Sequence, residues 1–218
     1  MAIDGIVFDL DGTLVDSVHD IRANLNLVLE GIRRRPLTTD ETKRGIGHGA
    51  RALVEKALNL TGDAGSADII DRCTRDFLDL YVRNPVKMTP VFSGVPDVLG
   101  RLQADGFVLG VCTNKPEDTT RAVLDGLGLS GYFQAVTCGD MVPHRKPDGR
   151  HVITTLEMMG TRTAVMVGDS EADMAAARDA GIQSIAVTYG YRHCPPEDLD
   201  SDLLIERFSD LPDALSRL

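Results

Sequence analysis

Two carboxylates follow an apolar stretch near the N-terminus of this 218-residue chain. Ile6, Val7 and Phe8 are typical of a buried strand, and they lead directly into Asp9 and Asp11. Because side chains alternate along a strand, residues two positions apart point the same way. Two neighbouring carboxylates repel each other, so this pair predicts a cation or a charged substrate beside it.

Further polar groups follow other apolar runs of the chain. Thr113 and Asn114 come after one, Lys146 lies in a later loop, and Asp169 and Asp173 come after a third. Any one of them alone is most simply a helix cap or a loop residue. Together they predict one site with four carboxylates, one ammonium and two neutral side chains, and hard oxygen ligands of this kind favour Mg²⁺.

The elements that must position these groups follow a strand-helix rhythm. Apolar runs predict strands at 5–11, 107–114, 133–140, 163–170 and 182–190, and helices between them at 94–105, 116–128, 147–159 and 171–180. This alternation predicts an α/β fold with an open, parallel, Rossmann-like sheet and helices on both faces. In such sheets ligands bind beyond the carboxyl ends of the strands, where all the candidate groups lie.

Residues 17–87 break this rhythm. They contain helical apolar stripes and no convincing strand, so we expect a small helical unit inserted into an α/β domain formed by 1–16 and 88–218. Ser17 is the predicted N-cap of its first helix.

Composition limits the function classes. A formal net charge of -10 and a pI near 4.9 argue against nucleic acid or an anionic membrane as partner. No apolar run of membrane-spanning length and no secretory signal is recognisable, so we expect a cytoplasmic protein. Its expected oligomeric state is a monomer or a homodimer. Cys73, Cys112, Cys138 and Cys194 are widely spaced, which favours free, buried thiols.

The motifs "DLDGTLVDS" (9–17), "TN" (113–114), "KP" (146–147) and "GDSEAD" (168–173) resemble, in order and position, the four motifs of the haloacid dehalogenase superfamily. The resemblance implies that Asp9 is a nucleophile forming an aspartyl-phosphate and that Asp11 is its general acid/base. It implies further that Thr113 and Asn114 bind phosphoryl oxygens and that Lys146 offsets charge. Mg²⁺ would be bound by Asp9, the backbone carbonyl of Asp11 and Asp169, with Asp173 supporting its water shell.

The same resemblance leaves several reactions open. Dehalogenases usually lack the second Asp, so Asp11 favours phosphate-ester hydrolysis. Phosphonoacetaldehyde hydrolases need a lysine in the inserted unit for an imine, and Lys56 has the pattern of a solvated helix face instead. β-Phosphoglucomutases and broad sugar-phosphate phosphatases are excluded less firmly. A non-catalytic binding protein would have no use for a nucleophile beside an acid.

A finer resemblance is to the phosphoglycolate phosphatase family, carried by "GIGHGARALV" (45–54), "VFSGVPDVLGRL" (91–102), "CTNKPE" (112–117) and "VTYGYRH" (187–193). It implies a small phosphorylated acid as substrate, with 2-phosphoglycolate first, and a helical cap that selects it. Arg44, His48 or Arg51 would meet the second carboxylate. The equally weighted alternative is a Gly-rich turn between two cap helices with exposed basic residues.

The loop after Lys146 and the histidines also carry expectations. Relatives often carry a second Pro two residues after "KP", where this chain has Gly149, and we expect a looser start of the next helix. His19, His144, His151 and His193 are expected at the surface or in loops rather than in catalysis.

Overall fold

The centre of the fold is a parallel sheet of six strands in the order β3-β2-β1-β4-β5-β6. The computed structural model describes residues 3–218. The strands are β1 Gly5–Phe8, β2 Val108–Cys112, β3 Ala135–Thr137, β4 Ala164–Gly168, β5 Gln183–Val187 and β6 Leu203–Ile205. The predicted α/β class and parallel sheet are confirmed. The strand β6 was not predicted, because three apolar residues between acidic ones carry too little periodicity.

The central strand β1 lies between β2 and β4, at the point where the strand order reverses. Phe8 is paired with Val111 of β2 and with Val167 of β4. The residues that follow these three positions therefore leave the sheet at one edge and at one level. This register brings Asp9, Thr113 and Asp169 together, although more than 150 residues separate the first from the last.

The four predicted helices between the strands are present, each within a few residues of its expected bounds. They are α5 Val95–Ala104, α6 Glu117–Gly126, α7 Gly149–Met159 and α8 Glu171–Asp179, and a short α9 Leu211–Leu215 follows the sheet. Across residues 3–218, none of the helices combines the length and the apolar character that a membrane crossing requires.

Between β1 and α5 the chain forms four helices, which we call the cap. They are α1 Val18–Gly31, α2 Thr39–Lys43, α3 Ala50–Thr61 and α4 Ala67–Arg83. The two connections run side by side: the Asp16 amide donates to the Pro90 carbonyl at 3.0 Å and the Phe92 amide to the Leu14 carbonyl at 3.0 Å. This paired linker fixes where the cap leaves and rejoins the sheet.

Apolar residues of the cap and of the sheet form one buried cluster. Phe8 of β1, Leu25 of α1, Leu53 of α3 and Phe77 of α4 all belong to it. Val7 faces the other side of the sheet, where it packs with residues of α7 and α8. Burial on both faces explains the uninterrupted apolar run of β1, and it makes the strand a rigid support for Asp9.

The start of α7 is tight, in contrast to the expectation from Gly149. A Cβ at this position would lie 2.4 Å from the Ala180 nitrogen, and the Gly149 amide donates to Asp179 Oδ2 at 2.7 Å. Asp148 caps the helix by accepting from the Arg150 amide. The glycine therefore allows α7 to approach the end of α8 closely, which holds the loop of Lys146 against the helix that carries Asp173.

His151 is the one histidine whose predicted surface location is wrong. It lies in the first turn of α7 with no exposed area, and neither ring nitrogen has a hydrogen-bond partner among residues 3–218. Burial, with the Lys146 ammonium nearby, lowers the pKa of His151 to about 4. The imidazole is therefore neutral in the native protein at neutral pH.

This burial predicts acid sensitivity. A histidine with a native pKa near 4 and an unfolded value of 6.5 contributes stability that is complete above pH 6.5 and is lost as the pH falls toward 4. Between pH 7 and pH 5 the loss is about 2 kcal/mol. We therefore expect the free energy of unfolding, measured in urea at pH 7 and at pH 5, to fall by about 2 kcal/mol more in wild type than in His151→Leu. His19→Leu, at a partly exposed site, should behave like wild type, and equal losses in all three would contradict the assignment.

Candidate active site

Asp9 lies at the carboxyl end of β1 and is paired with a lysine. Lys146 Nζ donates to Asp9 Oδ1 and to Asp173 Oδ1, both at 2.6 Å, and its side chain is 2% exposed. Among residues 3–218 no group donates to Asp9 Oδ2. One oxygen of Asp9 is thus fixed by the ammonium, and the other is left for a cation or a reacting atom.

Asp169 and Asp173 are held by the turn that joins β4 to α8. Asp173 Oδ2 accepts hydrogen bonds from the amides of Asp169 and Ser170 and from the Ser170 hydroxyl. Asp169 Oδ1 accepts from the Thr13 hydroxyl at 2.9 Å, and its Oδ2 accepts from the Tyr191 amide at 2.6 Å. Each carboxylate is therefore oriented before any ligand arrives.

The cluster concentrates buried negative charge. Burial raises the pKa of Asp9 to about 7, and the neighbouring Asp173 carboxylate adds to this effect while Lys146 opposes it. Burial, with Asp173 and Asp9 nearby, also raises the pKa of Asp169 well above its usual range. Burial works against the charged form of Lys146 too, but the two carboxylates outweigh it and raise the pKa of Lys146. One ammonium faces three carboxylates, and the balance of charge calls for a further cation.

The donor set fits a hard divalent cation. Asp9, Asp169 and Asp173 each offer a ligand atom, and these atoms lie within 4.8 Å of one another. The Asp169 carboxylate packs directly against the backbone of Gly12 and Gly190. A Cβ at either position would lie within 2.5 Å of this carboxylate, so both positions require glycine. Three carboxylates with no nitrogen or sulfur ligand among them suit Mg²⁺. The side chain of Asp11 points elsewhere, so only the predicted role of its carbonyl concerns the metal.

Asp11 belongs to a second charged group at the same edge. Lys115 Nζ donates to Asp11 Oδ1 at 3.1 Å, to Asp11 Oδ2 at 2.9 Å and to the Tyr81 hydroxyl at 2.9 Å. Ser17 occupies the predicted N-cap position of α1, but its hydroxyl makes no capping hydrogen bond and donates instead to Asp11 Oδ1 at 2.6 Å. These contacts hold the Asp11 carboxylate against Lys115 at the edge of the cavity.

Thr113 and Asn114 lie at the carboxyl end of β2, and their side chains differ in whether a donor is still free. Thr113 Oγ1 accepts from the Lys115 amide at 3.3 Å, which leaves its hydroxyl proton available. Asn114 Nδ2 donates to the carbonyls of Gly47 and Lys146, each at 2.8 Å. The side chain of Asn114 thus joins the cap to the loop of Lys146, while its backbone amide, which has no partner among residues 3–218, is left for the predicted contact with a phosphoryl oxygen.

A cavity of about 60 Å³ lies between the cap and the strand ends. Asp9, Asp11, Thr113, Lys115 and Lys146 are among the groups that form its floor. The cap contributes the wall of the cavity. Its lining side chains are mostly apolar: Ile21, Ile46, Ala50, Leu53, Phe77 and Tyr81. The only hydroxyl among these wall side chains belongs to Tyr81.

The three basic cap residues predicted to meet a second carboxylate do not line this cavity. Arg51 lies on the outer side of α3, where its Nε donates to Asp71 at 2.9 Å and its side chain is 49% exposed. His48 and Arg44 are exposed, and the Arg44 carbonyl contacts His193 Nε2 at 3.0 Å. Ile46, Gly47 and Gly49 are the residues of this loop that line the cavity. Arg44 of the loop and Arg51 of α3 turn outward to water, where their charge is solvated.

Sequence reasoning missed Lys115 and Tyr81. The signal for Lys115 was present, because it directly follows Thr113 and Asn114 at a strand end. Tyr81 could be found only as a member of the α4 apolar stripe, which predicted core packing. Its ring stacks on Phe77 as that stripe requires, with ring centres 5.7 Å apart, while its hydroxyl reaches Lys115.

The sequence of this chain is similar to those of known hydrolases. The family model for haloacid dehalogenase-like hydrolases matches residues 6–187. A phosphoglycolate phosphatase of Caulobacter vibrioides is 40% identical over 211 residues, which cover 96% of this chain and 89% of the relative. A phosphoglycolate phosphatase of Cereibacter sphaeroides is 37% identical over 214 residues, which cover 98% of both chains.

Solved structures share the complete fold. A crystal structure described as a predicted phosphoglycolate phosphatase from Haemophilus somnus superposes with a TM-score of 0.92 at 27% identity, covering 97% of each chain. CbbY from Rhodobacter sphaeroides, solved with phosphate, gives a TM-score of 0.86 at 21% identity over 99% of this chain and all of that one. The second likeness concerns the fold alone.

The buried ion pairs of Lys146 predict a large loss of stability in Lys146→Met. Removing one partner of a buried pair leaves the Asp9 and Asp173 carboxylates uncompensated, which costs about 3–5 kcal/mol. We expect the free energy of unfolding in urea at neutral pH to fall by this amount. Lys87→Met removes the same charge at an exposed position and should change it by less than about 0.5 kcal/mol. Equal unfolding midpoints for the two variants would show that the ion pairs of Lys146 do not contribute to the stability of the fold.

Proposed function

This chain belongs to the haloacid dehalogenase-like hydrolases, and we propose that it is a Mg²⁺-dependent phosphatase acting through an aspartyl-phosphate. The observation that carries the proposal is the position of Asp9: a buried carboxylate bonded to Lys146 through one oxygen, beside Asp169 and Asp173, with Asp11 two residues away. The substrate we propose is 2-phosphoglycolate, which gives glycolate and phosphate.

In the proposed reaction the Asp9 carboxylate attacks phosphorus and the ester bond to the substrate oxygen breaks. Asp11 gives a proton to the leaving alkoxide, and then takes one from a water molecule that attacks the acyl-phosphate and releases Asp9. The Thr113 hydroxyl and the Lys146 ammonium stabilise negative charge on the phosphoryl oxygens.

Mg²⁺ would be held by Asp9 and Asp169, with the Asp11 carbonyl and Asp173 in support. When bound, it supplies positive charge that offsets the phosphate and the clustered carboxylates. This role is consistent with the excess of buried negative charge over the single ammonium of Lys146.

Two observations favour a small phosphorylated acid over a sugar phosphate. The relatives in Caulobacter and Cereibacter carry the name phosphoglycolate phosphatase. The cap side of the cavity offers one side-chain hydroxyl, Tyr81, so several sugar hydroxyls would be buried there without partners, each at a cost of about 1–3 kcal/mol. We therefore propose a small anionic metabolite as the partner, and neither nucleic acid nor a membrane surface.

Cation binding is testable without turnover. Asp169→Asn removes one of the repelling carboxylates, so we expect the variant to melt above wild type when no divalent cation is present. Mg²⁺ at about a hundred times its dissociation constant should raise the melting temperature of wild type by roughly 5–10 °C. The increment should vanish in Asp169→Asn. Asp71→Asn, a control at a half-exposed position that contacts Arg51 and lies outside the cluster, should keep it. An equal increment in all three proteins would exclude this cluster as the binding site.

The activity itself is tested by a phosphate-release screen over small phosphorylated metabolites. We expect 2-phosphoglycolate to give the highest kcat/KM, and Asp9→Asn to lower that value roughly 10³-fold or more. Chelation of divalent cations should have a similar effect. Release that survives Asp9→Asn or chelation would rule out the mechanism, and a clear preference for hexose phosphates would rule out the substrate.

A further inference from the structure

Lys115 carries a buried positive charge, and it has no role in the proposed reaction steps. Its side chain is 5% exposed, and it lines the cavity between the cap and the strand ends. Burial alone would lower the pKa of Lys115, but Asp11 and Tyr81 outweigh it and raise the pKa, so the ammonium remains charged. All three of its N–H groups point at Asp11 and Tyr81.

Among the described residues that line the cavity, two carry a positively charged side chain, Lys115 and Lys146. Lys146 is committed to Asp9 and Asp173, where the phosphoryl group would react. Lys115 is separate from that cluster and contacts Asp11, which is two residues from Asp9. The basic residues of the cap loop turn away from the cavity, so Lys115 is the ammonium placed to meet a second negative group on a ligand.

We propose that Lys115 binds the second anionic group of the substrate, its carboxylate, and thereby selects phosphorylated acids over neutral phosphate esters. This inference rests on the proposed function for the phosphoryl end of the substrate. It assigns the specificity to the strand-end loop after Thr113 and to Tyr81 of α4, in place of Arg44, His48 and Arg51.

The charge balance explains why a second anion would matter. When Asp11 turns toward the leaving oxygen, as the proposed reaction requires, its two hydrogen bonds to Lys115 are lost. The ammonium would then be buried with only the Tyr81 hydroxyl as partner, which is unfavourable for a charged group. A substrate carboxylate restores the missing charge, whereas a neutral ester leaves Lys115 unpaired. The second anion therefore favours the state in which Asp11 acts.

Tyr81 is the positioning residue for this contact. Its ring stacks on Phe77, and the Lys115 ammonium lies 4.4 Å from the centre of the Tyr81 ring. Burial raises the pKa of Tyr81 to about 12, which keeps its hydroxyl protonated. The adjacent wall of Ile46, Ala50 and Leu53 is apolar. A short methylene between two anionic groups fits such a wall, because the methylene needs no hydrogen-bond partner.

The test measures binding, so that it does not depend on turnover. In an Asp9→Asn background, titration calorimetry with Mg²⁺ compares 2-phosphoglycolate with ethyl phosphate, which has the same two carbons and no carboxylate. We expect Lys115→Met to weaken 2-phosphoglycolate roughly 10- to 100-fold and ethyl phosphate by less than about threefold. Binding of ethyl phosphate also reports that the variant is folded, and Lys87→Met should leave both affinities unchanged.

Tyr81→Phe provides a second variant should Lys115→Met fail to fold. Loss of the hydroxyl should weaken 2-phosphoglycolate several-fold while ethyl phosphate keeps its affinity. If Lys115→Met weakens both ligands by the same factor, or neither, the inference is overturned and the proposed phosphatase activity stands. If wild type does not hydrolyse 2-phosphoglycolate but its binding depends on Lys115, the proposed substrate is overturned and the assignment of Lys115 stands.

Discussion

The Lys146 ammonium, buried between Asp9 and Asp173 at 2.6 Å from each, is the interaction on which the site depends. Carboxylates this close repel one another, and burial strengthens the repulsion because it removes the screening by water. The position of the ammonium in turn depends on close packing of α7 on α8, which Gly149 permits. A packing contact between two helices thus helps to hold together the buried charges of the candidate site.

The sheet makes this arrangement precise. Parallel pairing of β1 with β2 and β4 fixes the level at which Asp9, Thr113 and Asp169 leave the strands. Residues far apart in sequence are therefore positioned by backbone hydrogen bonds, while the cap closes the cavity with side chains that are largely apolar.

The sequence was sufficient for the parts that depend on local pattern. Apolar runs with polar ends located Asp9 and Asp169, and the break in rhythm between residues 17 and 87 marked the four inserted helices. The orientation of Arg51, Asn114 and Lys115 could not be predicted, because it depends on which face of a helix or turn meets another element. His151 illustrates the same limit: composition gives no reason to bury an imidazole, and only the packing of α7 does so.

The hydrogen bond from Asn114 Nδ2 to the Gly47 carbonyl bears on how such an enzyme can change during evolution. The strand-end loop reaches the cap through a main-chain atom, which every residue possesses. Substitutions in the cap loop can therefore alter the cavity wall without removing this contact, provided that the backbone at Gly47, with φ of 108°, is preserved. The strand-end loop and the cavity wall are therefore joined by a hydrogen bond that does not depend on the side chain at the cap position, so a change of cap side chain leaves the connection to the strand ends in place.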